Sequence, residues 1–316
     1  MTRTSVILAL GGLACGAFLV AAPLFLKPYG IFILSMWAVM SIAALGLNLT
    51  LGFAGQVSLA QGAFVGIGAY AAALLTTHGW PLGYAMMLGA VLCFVFGWVL
   101  GYPALRVQSH YLAFVTLAFT TLAFLVFRNE DWLTGGTRGI FGIQRPVIFG
   151  WSTKPAASYY YFCLIMLLLF SFVAWWIIRS PWGRAFTAVR ENPIRALSLG
   201  INTRLYILIA FAIGAGFGGV SGALYAPLVQ YIDATPFTLI LSLNLLLMVV
   251  VGGSGYFAGP FIGAVVVTLL PEWLRAAEGF YLIGYGTLVL VLMMFCPSGL
   301  LGLVEKVFPS SMAPGK

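Results

Sequence analysis

Charge is the scarcest commodity in this chain. Only 7% of its 316 residues are Asp, Glu, Lys or Arg, against about 25% in soluble domains. A soluble globule so poor in charge would have little to keep it dissolved. Acids are rarer than bases, seven against fifteen, and none falls at the middle of an apolar run. That disfavours a proton- or ion-coupled carrier, whose relay is built from carboxylates titrating inside the bilayer, although backbone carbonyls can still bind sodium. His78 and His110 have no acidic partner near in sequence, so no hydrolytic constellation can be assembled around them, and both read as interfacial. Cys15, Cys93, Cys163 and Cys296 sit singly inside apolar runs with no Cys-x-x-Cys spacing; they read as small packing residues rather than disulfide or metal ligands. No Gly-x-x-x-x-Gly-Lys-Ser/Thr occurs, so the chain cannot cradle ATP phosphates by itself, and any ATP-driven process needs a motor on another subunit. No cofactor and no nucleic-acid partner is expected.

What the chain has is hydrocarbon. Apolar residues make up 62% of it and its mean hydropathy is +1.06, which with the low charge describes an all-α polytopic membrane protein. Runs of the length that spans a bilayer lie near 6–26, 31–51, 57–75, 82–103, 110–127, 159–178, 205–226, 237–252, 260–275 and 280–296, about ten helices. The first exceeds the core of a signal peptide and is expected to stay as a helix. Those near 237–252 and 260–275 are short and flank Gly252-Gly-Ser-Gly255 and Gly259-Pro260, so this region is expected to be broken or re-entrant.

One long polar island interrupts the hydrocarbon. Arg179, Arg184, Arg190, Arg195 and Arg204 share it with Glu191. Burying five arginines at mid-bilayer would cost on the order of 12 kcal/mol or more, so segment 179–204 lies in water. Placing it in the cytoplasm fixes the other loops by alternation. Arg3, Arg106, Lys306 and Lys316 join it inside, while Lys27, Arg128, Arg138, Arg145, Lys154 and Arg275 fall outside. The positive-inside bias is satisfied, and both termini are cytoplasmic. The largest external segment is 128–158, with Thr134-Gly-Gly-Thr-Arg-Gly139 near its start. Tyr159-Tyr-Tyr161 suits an aromatic anchor at the headgroups, and Trp175 and Trp176 mark the opposite boundary. Within the island, Pro181 and Gly183 end the preceding span, a short helix is expected over 184–199, and Gly200 supplies its left-handed stop. Ala185, Ala188, Val189, Ile194, Ala196 and Leu197 lie between the charges, as suits a helix resting on another protein; a helix resting on anionic lipid headgroups has the same pattern.

Inside the apolar runs the most polar stretch is Asn48-Leu-Thr-Leu-Gly52-Phe-Ala-Gly55-Gln56-Val-Ser58-Leu-Ala-Gln61. Two glycines followed by Gln56 and Ser58 predict a helix interruption, whose freed backbone groups need protein or a water-filled cavity. Asn48, Gln56, Ser58 and Gln61 are candidates to line a passage for a polar solute; the same amides can instead cap the break and bond neighbouring helices. Glycines four apart at Gly12/Gly16, Gly62/Gly66, Gly97/Gly101, Gly214/Gly218/Gly222 and Gly259/Gly263 predict close helix packing.

Three of these segments together resemble the branched-chain amino acid permease family of ATP-binding cassette (ABC) importers, in its LivM-type membrane subunit. They are Leu47 to Leu59 with Gly62-Ala-Phe-Val-Gly-Ile-Gly-Ala-Tyr70, the island from Ser180-Pro-Trp-Gly-Arg-Ala to Leu199-Gly-Ile-Asn202, and Gly252-Gly-Ser-Gly with Gly259-Pro-Phe-Ile-Gly-Ala264. Thr134-Gly-Gly-Thr-Arg-Gly139 is similar to the family's external loop. The resemblance implies a single transmembrane permease domain over 1–316 in the bacterial plasma (inner) membrane. It implies a second permease of the LivH type, two cytosolic ATPase subunits, an external solute-binding protein and membrane lipid as partners. It also implies that a cytoplasmic helix patterned Glu-x-x-x-x-Ala-x-x-x-Gly, here Glu191, Ala196 and Gly200, passes ATPase closure to the pore, with Arg184, Arg190 and Arg195 on the same coupling segment. The chain departs from many relatives at Ala60-Gln61, where they carry Gly-His, and at Arg195-Ala196, where they carry paired alanines. The implied solute is a branched-chain amino acid or a related small polar or aromatic molecule. An ion-coupled carrier or a passive channel is the competing expectation.

Overall fold

The computed structural model describes residues 16–104, 109–148, 151–274, 286 and 299–302. It is a helical bundle. After α1 (Gly16–Phe25) come α2 (Pro28–Asn48), continued by a π-helical turn over Leu49–Phe53, then α3 (Gln61–Thr77), α4 (Leu82–Ala104) and α5 (Ser109–Asn129). A loop with the short α6 (Asp131–Thr134) and strands β1 (Ile140–Phe141), β2 (Val147–Ile148) and β3 (Trp151–Ser152) leads to α7 (Ala156–Arg179). The island forms α8 (Pro181–Glu191) and α9 (Pro193–Ser198), followed by α10 (Thr203–Val229), β4 (Tyr231–Ile232), α11 (Leu239–Gly252) and α12 (Gly259–Leu274). Nine expected spans carry helix in their described parts, although residues 57–60 of the third are not helical; the expected span at 280–296 lies outside the described residues apart from position 286.

Among the described residues five helices are long and apolar enough to cross a membrane. In α2 with its π turn and in α10 the most apolar stretch is 72% and 78% buried, against 28–33% in α4, α5 and α7. The first two are therefore the axis of the bundle, and the other three turn much of their surface outward. Small residues let the axis close. Gly214, Gly218 and Gly222 of α10 lie against Gly46 of α2 and against Phe64 and Val65 of α3, while Gly97 and Gly101 seat α4 on Ala212, Ala215 and Leu208. The spacing of four thus does what lipid-phase packing requires. Gly16 is the exception: a Cβ there would meet no other part of the chain within 4 Å among the described residues, and Gly12 lies outside them.

The two ends of the bundle differ. At one end β1 pairs antiparallel with β4, Ile140 opposite Ile232, and Phe141 lies over Tyr231 with ring centroids 4.5 Å apart. At the other end are α8, α9 and the turn at Gly253–Ala258, the end that the charge bias places in the cytoplasm. Tyr159 and Tyr160 are not headgroup anchors: both are fully buried. Their hydroxyls donate to the carbonyls of Leu224 and Leu19 at 2.6 and 2.8 Å, because α10 and α1 close over the first turns of α7. Trp175 and Trp176 are exposed near the other end of that helix, and the Arg179 guanidinium lies 4.6 Å from the Trp175 ring centroid. Cys93 and Cys163 are buried free thiols; Cys15 and Cys296 lie outside the described residues.

The island is two helices rather than one over 184–199. Asn192 is extended (φ −156°, ψ 97°) because Pro193 clashes with a helical residue before it. Its side chain caps the next helix, accepting from the Arg195 N–H at 3.0 Å, the N-cap geometry expected of Asn. Gly183 does not end a helix. It sits within α8 against the Ile178 backbone and lets α8 fold tightly under α7. Gly200, at φ +82°, is the left-handed stop that the sequence predicts.

Candidate translocation and coupling site

The interruption after Asn48 is real and sits where the glycines place it. The π turn ends with the Ala54 N–H on the Leu49 carbonyl (3.1 Å), the Gln56 N–H returns to Thr50 (2.9 Å), and Gly55 turns left-handed at φ +71°. Residues 54–60 then run non-helically back into the bundle before α3 begins at Gln61. Depth follows from neighbours. The Gln61 amide nitrogen donates to Ala43 and to Gly214, both at 3.0 Å; Gly214 is at least eleven residues, about 16 Å, from either end of α10, and Ala43 is ten residues from the end of the π turn that continues α2. A bare peptide at that depth would cost several kcal/mol per unsatisfied group. Here α5 supplies the partners: Leu59 N–H donates to Thr116 Oγ1 (3.0 Å), and Leu59 C=O accepts from Thr120 Oγ1 (2.7 Å).

A second half-length helix meets the first. At 14 residues α11 is about 21 Å long and α3, at 17, about 25 Å, both short of the ~30 Å hydrocarbon core. The Gly62 N–H in the first turn of α3 donates to Ser242 Oγ in the first turn of α11 (2.9 Å). From that meeting point α3 leads to the Trp80 turn at the end that carries β1 and β4, and α11 leads to Gly253 at the end that carries α8 and α9. Residues 230–238 fill the space above α11, with Phe237 fully buried and within 6.2 Å, centroid to centroid, of Tyr70, Phe127 and Tyr225. The short spans expected near 237–252 and 260–275 thus form a hairpin of short helices.

The four passage candidates separate by environment. Asn48, Ser58 and Gln61 are no more than 2% exposed. Asn48 bridges to the turn between α11 and α12, donating to Tyr256 C=O and accepting from Gly255 N–H, both at 3.0 Å. Gly52 makes this possible, since a Cβ there would occupy the place of the Asn48 amide. Ser58 accepts from Ala60 N–H at 3.3 Å. Gln56 is half-exposed, and among the described residues its amide makes only a long bond, 3.5 Å, to the nearby Ala54 carbonyl.

The coupling candidates divide likewise. Arg184, Arg190, Glu191, Arg195 and Gly200 are exposed and Ala196 is buried. Ala185, Phe186 and Val189 turn into the bundle. Ile194, Leu197 and Leu199 are 77%, 63% and 80% exposed, an apolar patch beside the charged residues of the same segment. Arg190 joins the two groups of candidates. Its Nη1 donates to the Gly52 carbonyl in the π turn, its stem packs on Gly55, and its guanidinium lies against Gly255. The last carbonyls of a helix lack intrahelical donors and carry the negative end of its dipole, so a cation is well placed there.

Residues 29–297 match the family described as branched-chain amino acid transport system / permease component. The chain belongs to this family. It is 31% identical to the high-affinity branched-chain amino acid transport system permease protein LivM of Escherichia coli (strain K12), over 89% of this chain and 72% of that protein. The corresponding LivH protein of the same strain is 26% identical over 84% of this chain and 93% of its own length. An autoinducer 2 import system permease protein, LsrC of Escherichia coli O9:H4, is 22% identical over 74% and 66%. No solved structure matched. The chain is therefore a LivM-type permease, a multi-pass transport subunit of the plasma membrane, and membership favours this over the carrier or channel.

In this permease the sequence brings out Asn48, Gln61 and Arg190 but misses the residues that hold the break from outside: Thr116, Thr120 and Ser242. Their signal was available. Each is a hydroxyl inside an apolar run, and intramembrane polar groups seek partners.

Proposed function

We propose that the chain is the membrane subunit of an ABC importer that moves branched-chain amino acids, or a related small polar or aromatic solute, inward by alternating access. It forms one permease domain over 1–316 and pairs with a second permease of the LivH type. Two cytosolic ATPases supply the energy, and a binding protein delivers solute to the face formed by segment 128–158. The ATPases dock on segment 179–204, covering Ile194, Leu197 and Leu199, since an apolar patch facing water calls for a partner. Glu191, Arg184 and Arg195 flank the patch and set its orientation, while Ala196 and Gly200 shape the short helix and its stop.

The observation that carries this reading is the Arg190 contact. It links a water-exposed segment, accessible to a motor, to the one place where the central helix is broken. Transmission needs a two-state element that both sites bias, and the non-helical segments 54–60 and 253–258 provide it. The solute passes beside Gln56, the passage candidate with a free face, while Asn48, Ser58 and Gln61 hold the wall. Reconstitution tests the whole. Uptake should require ATP, the ATPases and the binding protein, and concentrative uptake by the chain alone on a sodium or pH gradient would overturn the proposal.

A further inference from the structure

The outer end of the bundle carries a cleft of about 650 Å³ between the α3–α4 turn and the segment around Arg145. Its walls include Trp80, Tyr84, Met87, Gln144 and Arg145, and no acidic residue lines it among the described residues. Trp80 and Tyr84 are 56% and 64% exposed and stand edge to face, ring centroids 6.4 Å apart. Arg145 is fixed rather than free. Its Nη1 donates to the Lys154 carbonyl at 2.8 Å, and its guanidinium carbon lies 5.4 Å from the Tyr159 ring centroid. Its Nε is buried with no acceptor among the described residues. With Nε enclosed and one Nη1 hydrogen on Lys154, the other Nη donors of the guanidinium are the ones left for an acceptor supplied from outside the chain.

Position selects the ligand. The cleft lies on the outward side of α4, opposite the glycines that seat this helix on α10, so a solute following the central break would not meet it. Below Tyr84 and Met87 the same face continues through Leu88, Val91 and Val95, all exposed. A fixed cation at the water boundary, two amphipathic rings at the interface and an apolar track beneath them match, in order, the phosphate, ester region and acyl chain of a phospholipid. Arginine also suits phosphate by its planar fork. A protein partner would be expected to offer a carboxylate, but the uninterrupted apolar track favours a fatty chain.

We propose that this cleft binds one outer-leaflet phospholipid, with Arg145 on its phosphate, Trp80 and Tyr84 beside its ester groups and its tail along α4. This does not depend on the transport reading. A photoreactive residue at Met87, activated in intact membranes, should yield an adduct of phospholipid mass. Arg145→Gln should lower that adduct about tenfold or more, the loss of a charge-assisted hydrogen bond. If Arg145→Gln fails to insert, the Trp80→Ala/Tyr84→Ala pair, altered only at exposed side chains, should lower it likewise. Excess inorganic phosphate should leave the adduct intact. A cross-link to a second polypeptide, an undiminished adduct in the variants, or displacement by free phosphate would each overturn the assignment.

Discussion

Replacing Arg190 with Ala removes the donor that meets the Gly52 carbonyl and the stem that packs on Gly55, while leaving the outward patch of α9 untouched. A hydrogen bond to a charged group contributes about 1.5–3 kcal/mol, and the lower end applies because Arg190 is exposed and its bond to Gly52 only part-buried. If the contact forms in only one of the two transport states, losing about 1.5 kcal/mol shifts their ratio roughly tenfold. The assay is ATP-driven uptake in proteoliposomes holding the complete importer, alongside co-purification of the ATPases. Uptake should fall roughly tenfold with co-purification unchanged, and ATP hydrolysis should no longer respond to the loaded binding protein. Arg190→Lys should recover part of the activity, since it restores a cation at the helix end but not the planar fork. Wild-type uptake by the Ala variant would refute the reasoning. Loss of the ATPases would refute it differently, by making Arg190 a docking residue.

Other residues separate in the same assays. Leu197→Asp, at a side chain 63% exposed, should release the ATPases without lowering the amount of inserted permease; retained co-purification would move the docking surface elsewhere. Gln56→Leu should reduce flux while solute affinity of the binding protein stays constant, and unaltered flux would favour a packing role for that amide. Thr116→Val keeps the shape but strands the Leu59 N–H, a loss of about 1–3 kcal/mol. It should appear as a lower unfolding midpoint in detergent; an unchanged midpoint would mean that water replaces the hydroxyl.

The break was legible because its cause is local. Gly52, Gly55 and the run of amides and hydroxyls around them cannot continue an apolar helix, and the chain stops one within a few residues of where they stand. The split of the island was equally written in Asn192-Pro193, since a residue before proline avoids the helical region; apolar spacing on both sides of it concealed the corner. What holds the break was harder to read. Leu59 is satisfied by side chains 57 and 61 positions away, and Gly62 by one 180 positions away, and no local pattern names such partners. Tyr159 and Tyr160 show the same limit. A tyrosine cluster at a helix end has the composition of an interfacial belt, and only the docking of α1 and α10 turns it inward.

The bundle is fastened in two unequal ways, and that inequality decides which parts can move. Between α10 and its neighbours, backbones meet at Gly46, Gly68, Gly214 and Gly222 so closely that a Cβ would strike main-chain atoms. Sliding such an interface opens voids along its length, and close-packed interiors resist this. The centre is held by a few side-chain bonds: Gln61 to two carbonyls, Ser242 to Gly62, and Thr116 and Thr120 to Leu59. Each contributes about 1 kcal/mol net, and the freed groups can be met by water or by a polar solute. Segment 54–60 should therefore rearrange while α2 and α10 keep their packing. Hydrogen exchange on the assembled importer reports this directly. Amides of 54–60 should change protection between ATP-bound and ATP-free states, and those of 208–226 should not. The opposite pattern would mean that the transport stroke slides the central helices, with the break serving only as a static support.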